Sequence, residues 1–292
     1  MKNYPGRPSL FCVNGIFRCM ELNNSEFHDI VKSLFANNKM SEIIRLELKE
    51  GWQDFAARTY VQEKGEIMIN ECFLSFLWCS SYYTSLIYNY FLVPFQSKTE
   101  VNEGKIEIAY EALDYGMSLK YGYDTWPDNI PHPREIDKDV ELANIIWCIA
   151  ANFIISHEIA HIYHKHQECI GEQSYRQEYE ADNTAFHWLD RERVKTDEFA
   201  YQMGIFVALF TTFMMSPFPE KGGERHPASF LRLQDILNKF EIDDEHRIWA
   251  LSLMALGRWS SKFNKQIDFF PDEEESYKKQ FNELLDKLIV RD

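Results

Sequence analysis

The densest chemistry in this 292-residue chain lies in the string FIISHEIAHIYHKH, residues 153–166. Within it His157 and His161 stand four positions apart, so on a helix they project from one face, one turn separated. Two imidazoles so placed suit neighbouring corners of a tetrahedral zinc site. Glu158 follows the first histidine directly. It is poorly placed to bind the same ion but can reach a water on it, the position of a general base. Trp147, Ala150 and Ile154 precede the histidines at helical spacing, so this face points into the protein. A buried neutral imidazole needs a partner, and a metal is the natural one. The plain alternative is an apolar core helix whose histidines are satisfied by hydrogen bonds.

A catalytic zinc site takes a third protein ligand and keeps a fourth position open. Downstream, Glu178, Ala181, Asp182, Ala185, Phe186 and Leu189 form one stripe of a helix. Two carboxylates on an apolar face are costly unless each has a partner. Glu178 is therefore the expected third ligand, and Asp182, one turn on, the acceptor that holds a ligand histidine in one tautomer. Two alternatives stay open: both carboxylates could answer a buried arginine, or Glu180 could be the ligand. Glu180 shares the opposite, solvent-facing side with Thr184, His187 and Arg191. His164 and His166 read as polar residues at a helix end, where positive charge suits the dipole, with His164 a competing ligand. His132, between prolines, reads as a loop residue. After Gly222-Gly223, His226-Pro227 opens a helix that carries Arg232. His226 is the candidate donor to an oxyanion, and Arg232 the candidate to pin the loop or a substrate carbonyl. The competing reading is a helix-starting His-Pro with a surface arginine.

These residues need elements to hold them. Helical periodicity predicts one long helix over 136–166 and a second over 172–193, with sixteen residues between His161 and Glu178 forming a tight helix–loop–helix. Further helices are expected over 25–36 and 105–119. Gly65–Asn70 (GEIMIN) alternates like a strand, and its edge could receive an extended peptide. A C-terminal helix should start near Pro271-Asp272 and its three glutamates, with Phe281, Leu284, Leu285, Leu288 and Ile289 as its apolar stripe. The expected fold class is mainly α, an α+β zincin-like arrangement of active-site helix, third-ligand helix and a small β element. The layout reads as one domain over 1–292. The Pro-rich loop 121–133 is its most plausible internal boundary, which would divide an N-terminal part, 1–133, from a metal-binding helical part, 134–292.

Composition narrows the function. With 31 Lys+Arg against 46 Asp+Glu the net charge is −15, which argues against nucleic acid and an anionic membrane surface as partners. Cysteines 12, 19, 72, 79, 148 and 169 include no CxxC pair and read as free thiols in a reducing, cytoplasmic compartment. The N-terminus lacks the continuous apolar core of a secretory signal. Two uncharged runs, 72–97 and 199–219, are long enough for a bilayer. Their serines, threonines, Asn89 and Gln202, and the absence of a Lys/Arg excess beside them, favour buried core helices.

HEIAH followed by Glu178 and Asp182 as an ExxxD helix resembles the gluzincin metallopeptidases. The string EYEADNTAF is similar to a segment of ImmA/IrrE-type and membrane-linked HtpX-type peptidases, and the latter also carry a His-Pro…Arg element like His226, Pro227 and Arg232. Chain length and motif position resemble the phage-exclusion Lit-type peptidases, an intracellular family that cleaves a host translation factor. The resemblance implies Zn2+ held by His157, His161 and Glu178, and an endopeptidase with Glu158 as base and a protein or peptide as substrate. An activating peptide or protein is a further partner the sequence leaves open. The competing function classes are a metal-stabilised binding or regulatory module and a membrane-associated quality-control peptidase.

Overall fold

The computed structural model describes residues 20–47, 51–53, 57–60, 65–122, 125–189, 198–218, 222–265 and 275–289. In chain order the elements are α1 (Ser25–Ala36), β1 (Met40–Glu47), β2 (Ala57–Tyr60), β3 (Gly65–Asn70) and α2 (Glu71–Ile87), which runs through a π turn (Tyr88–Leu92) into α3 (Val93–Ser97). Then come α4 (Glu103–Ser118), α5 (Lys138–His164), α6 (Glu172–Trp188), α7 (Glu198–Met214), α8 (Ser229–Asn238), α9 (Arg247–Lys262) and α10 (Tyr277–Ile289). Helix dominates, as the periodicity requires.

The longest element, α5, is the axis of the molecule. Asp137 starts it by accepting from the amides of Asp139 and Val140, which satisfies two otherwise orphaned donors. Helices α2, α6 and α7 pack around it. Every residue of α2 is buried, and three of its hydroxyls turn back on their own helix: Ser81 Oγ donates to Leu77 O at 2.8 Å, Thr84 Oγ1 to Ser80 O at 2.8 Å and Ser85 Oγ to Tyr82 O at 2.9 Å, whereas Ser75 and Ser80 Oγ make no hydrogen bond. That back-bonding lets a serine-rich helix sit in an apolar core without unpaired donors at these positions. Almost all of α7 is buried as well, so both uncharged runs supply core helices. Among the described residues, Lys138–His164 is the one helix long and apolar enough to cross a bilayer, and most of it is buried inside the protein.

The β element is a three-stranded sheet of order β1-β3-β2, with β1 parallel and β2 antiparallel to β3. GEIMIN is thus a strand over the expected residues but the central one. Both its edges are already paired, so the expectation that it offers an edge to substrate is overturned; β1 and β2 are the outer strands. A period-two pattern fixes strand identity, not position in the sheet. A single cluster of buried apolar side chains runs from Phe27 to Leu285.

Boundaries shift for local reasons. The long helix ends at His164 because Lys165 adopts a left-handed conformation (φ 57°) and caps it. The second site helix ends at Trp188, and residues 190–193 of its expected span lie outside the described residues. So do Pro271, Asp272, Cys12 and Cys19; Phe281, Leu284 and Leu285 of the C-terminal stripe are buried as expected. The reading of six free thiols is corrected at Cys148, which is disulfide-bonded, whereas Cys72, Cys79 and Cys169 are free. Sequence spacing carries no information on thiols that meet only through the fold.

Close packing between α5 and α7 depends on Gly204. A Cβ there would stand 2.5 Å from Cβ of Ile149 and 3.1 Å from the Ile146 carbonyl oxygen. Gly204→Ala is expected to destabilise the protein by about 1–3 kcal/mol in denaturant unfolding, despite alanine's better helix propensity. A more stable variant would contradict this packing.

Candidate metal centre

Helices α5 and α6 bring two histidines of one helix and a glutamate of the next together. His157 Nε2 lies 3.0 Å from His161 Nε2 and 3.6 Å from Glu178 Oε2, and His161 Nε2 lies 3.5 Å from Glu178 Oε1. These ligand atoms fall within 4.8 Å of one another, the one such cluster among the described residues. His157 and Glu178 are buried, and Glu178 Oε2 has no aligned hydrogen bond despite its polar neighbours. A buried carboxylate with one oxygen toward each of two imidazole nitrogens is a donor set that fits a metal ion. His157, His161 and Glu178 are the residues that could hold one.

The stripe on α6 reaches the site as the spacing requires. Ser174, Glu178, Ala181, Asp182, Ala185 and Trp188 are its buried residues. Asp182 is only 1% exposed, and its Oδ1 accepts from Nδ1 of His157 at 2.8 Å. Arg232, from α8, grips the same carboxylate twice: Nε donates to Oδ2 at 2.7 Å and NH2 to Oδ1 at 2.8 Å. Its NH1 stands 3.4 Å from Glu178 Oε2. The two readings of Asp182, histidine acceptor and arginine partner, are therefore both realised. Arg232, its side chain 11% exposed, is not a surface residue; it is the counter-charge of two buried carboxylates and stands with Asp182 behind the ligands.

Electrostatics follow from this arrangement. Burial pushes the Asp182 carboxyl up, but Arg232 and His157 outweigh it and hold it at about 2. Burial also opposes ionisation of Glu178, and contact with His226 and the charges of Arg232 and His157 hold it well below the usual carboxylate range. Burial and the neighbouring His157 push His161 down to about 3, toward the neutral form a metal ligand requires. Burial alone would lower His157; Asp182 and Glu178 raise it. Burial disfavours the Arg232 cation, but Asp182, Glu178 and Glu158 together keep it protonated. Glu158, next to His157 on α5, is itself buried.

His226 is brought to the site by a loop tied to α6. Ser174 Oγ donates to Arg225 O at 2.6 Å, Tyr175 OH to Gly223 O at 2.7 Å, and Gly171 N to Glu224 O at 2.7 Å. The His226 side chain is 65% exposed, with Nδ1 at 3.1 Å from Glu178 Oε2. His164 is not a competing ligand: its Nε2 meets Thr184 Oγ1 at 2.9 Å. His166, read as an ordinary helix-end residue, is instead 8% exposed, with Nδ1 at 2.8 Å from His161 Nδ1 and Nε2 at 2.9 Å from Glu180 Oε2. Glu180 is thus tied to His166 and stands apart from the ligand cluster. His132 is a loop residue but a buried one. The only available signal for His166 was its two-residue offset from His164, and a left-handed turn at Lys165 cannot be inferred from a lysine.

Residues 67–252, more than half the chain and all of this constellation, match the peptidase U49 family. The chain belongs to that family. No curated protein and no solved structure matches it. A peptidase acts on protein or peptide, and the helical site residues lie inside the matched span.

Arg232→Met would leave two buried carboxylates without their counter-charge. Loss of one partner of a buried pair costs about 3–5 kcal/mol, so the metal-free variant should unfold at markedly lower denaturant than the metal-free parent. Unchanged stability would show that Arg232 does not neutralise the site.

Proposed function

We propose that this chain is a zinc-dependent endopeptidase of gluzincin type, acting in the cytoplasm on a restricted protein substrate. The carrying observation is the convergence of His157, His161 and Glu178. A tetrahedral ion with bonds of about 2.0–2.1 Å has ligand–ligand edges of about 3.3–3.4 Å. The observed separations of 3.0, 3.5 and 3.6 Å bracket that value. Membership of a peptidase family supports hydrolysis of peptide bonds. The cytoplasmic, Lit-like part of the reading, including a host-factor substrate in phage defence and an activating peptide or protein, is carried by the sequence resemblance alone.

Zinc held by these ligands supplies Lewis acidity and brings a water's pKa toward neutrality. The protein's own residues do the rest. Glu158 takes the proton of the attacking water and delivers it to the leaving amine. His226, exposed beside Glu178, donates to the oxygen on which negative charge develops. Asp182, clamped by Arg232, keeps the proton on Nδ1 of His157 so that Nε2 presents its lone pair. Arg232 keeps Glu178 ionised, so a formal anion is available at the ligand position.

Glu158→Gln should retain about one zinc per chain and the parent's melting temperature, while peptide hydrolysis falls about 10²–10⁴-fold. The readout is comparison of protein N-termini from cells expressing parent or variant. If Glu158→Gln retains full function while His157→Ala abolishes it, the ion serves structure and the chain is a metal-stabilised module.

A further inference from the structure

Both metal-facing histidines are held from behind, by different means. His157 leans on Asp182, a buried carboxylate in a double grip from Arg232. His161 meets another imidazole, not a carboxylate, at its Nδ1. Its Nδ1 meets Nδ1 of His166 at 2.8 Å, and Nε2 of His166 meets Glu180 Oε2 at 2.9 Å. The left-handed Lys165 folds the chain back, so that the His166 amide donates to the His161 carbonyl at 3.0 Å while the His166 ring reaches the His161 ring. A turn that would otherwise only end a helix here delivers a side chain to the site.

Proton bookkeeping gives this chain a direction. A carboxylate only accepts, so a neutral His166 presents Nε2–H to Glu180 and keeps a lone pair on Nδ1. His161 must then donate from Nδ1, which leaves a lone pair on its Nε2. Asp182 imposes the same tautomer on His157. Two imidazole lone pairs therefore face each other across 3.0 Å, with the Glu178 carboxylate beside both. Such an arrangement is repulsive until a positive charge enters it.

We infer that His166 and Glu180 are positioning residues for the metal: acting through His161, they fix its tautomer and ring orientation, and with them the affinity of the site. The inference rests on the metal-site reading above. Removal of such an outer hydrogen-bond partner costs 10- to 100-fold in metal affinity as a rule of thumb. Glu180 is 54% exposed where Asp182 is 1% exposed, so this arm is open to solvent and the other is not. The exposed arm is the one whose strength single substitutions can tune without disturbing the buried ion pair.

The test is zinc affinity of the full chain, measured by competition with a chelator of known strength, alongside melting of the zinc-free proteins. His166→Leu, which fills the space but cannot accept a hydrogen bond, should bind zinc about 10- to 100-fold more weakly than the parent. His166→Asn, whose amide oxygen can occupy the place of Nδ1, should recover most of that loss and guards against a folding defect in the leucine variant. Parental affinity in His166→Leu overturns the inference, as does an asparagine variant as weak as the leucine one. A parent that binds no zinc overturns the metal-site reading and this inference together; a parent that binds tightly with no effect at position 166 overturns this inference alone.

Discussion

A carboxylate sealed from water must either take a proton or be surrounded by positive charge, and Asp182 is surrounded. It lies between His157 on α5 and Arg232 on α8 while belonging to α6, so one buried anion ties three helices into a fixed arrangement. The cost of burying that charge is met only when all three helices are in place. Consequently the same interaction that orients a ligand histidine also fixes the angle between the two helices that carry the ligands. Glu178, one turn before Asp182, is positioned by the same constraint, and Arg232 reaches it too. Site geometry and local fold are here one electrostatic problem.

Much of this could be read from the residues because helices translate spacing into direction. Four positions between His157 and His161, and four between Glu178 and Asp182, put each pair on one face, and the apolar residues around each pair said which face was buried. The strand at Gly65–Asn70 and the helix at Ser25–Ala36 were recoverable for the same reason. Contacts made by chain reversal were not. The left-handed Lys165, the burial of His166 and its link to Glu180 depend on a turn with no glycine to announce it. Arg232 could be set beside Asp182 behind the ligands, but its double grip on that carboxylate could not be read, since a lone arginine at a helix start is ordinary until its partners are known. The pairing of GEIMIN on both edges and the disulfide at Cys148 belong to the same class, set by through-space neighbours.

The serine-rich α2 illustrates the complementary point. Its uncharged run and that of α7 satisfy the length criterion for a bilayer, yet both line the core around α5. Hydroxyls bonded back to their own helix make such segments compatible with a packed protein interior. Close packing around α5 is what a site of this kind requires, because a ligand misplaced by a fraction of an ångström loses its ion or its substrate geometry. The outer side of the site, in contrast, is built from the loop carrying His226 and from Glu180 on α6, with His166 buried between Glu180 and His161.

The central claim is that two imidazoles and one carboxylate share a zinc ion. X-ray absorption of the zinc-loaded chain tests it most directly, since the technique reads ligand type and distance at the metal itself. Scattering from two imidazoles at about 2.0–2.1 Å with oxygen completing the shell is the expected result, and one imidazole should be lost from it in His161→Ala. A shell containing sulfur at about 2.3 Å, or one without imidazole, would place the ion elsewhere and contradict the assignment.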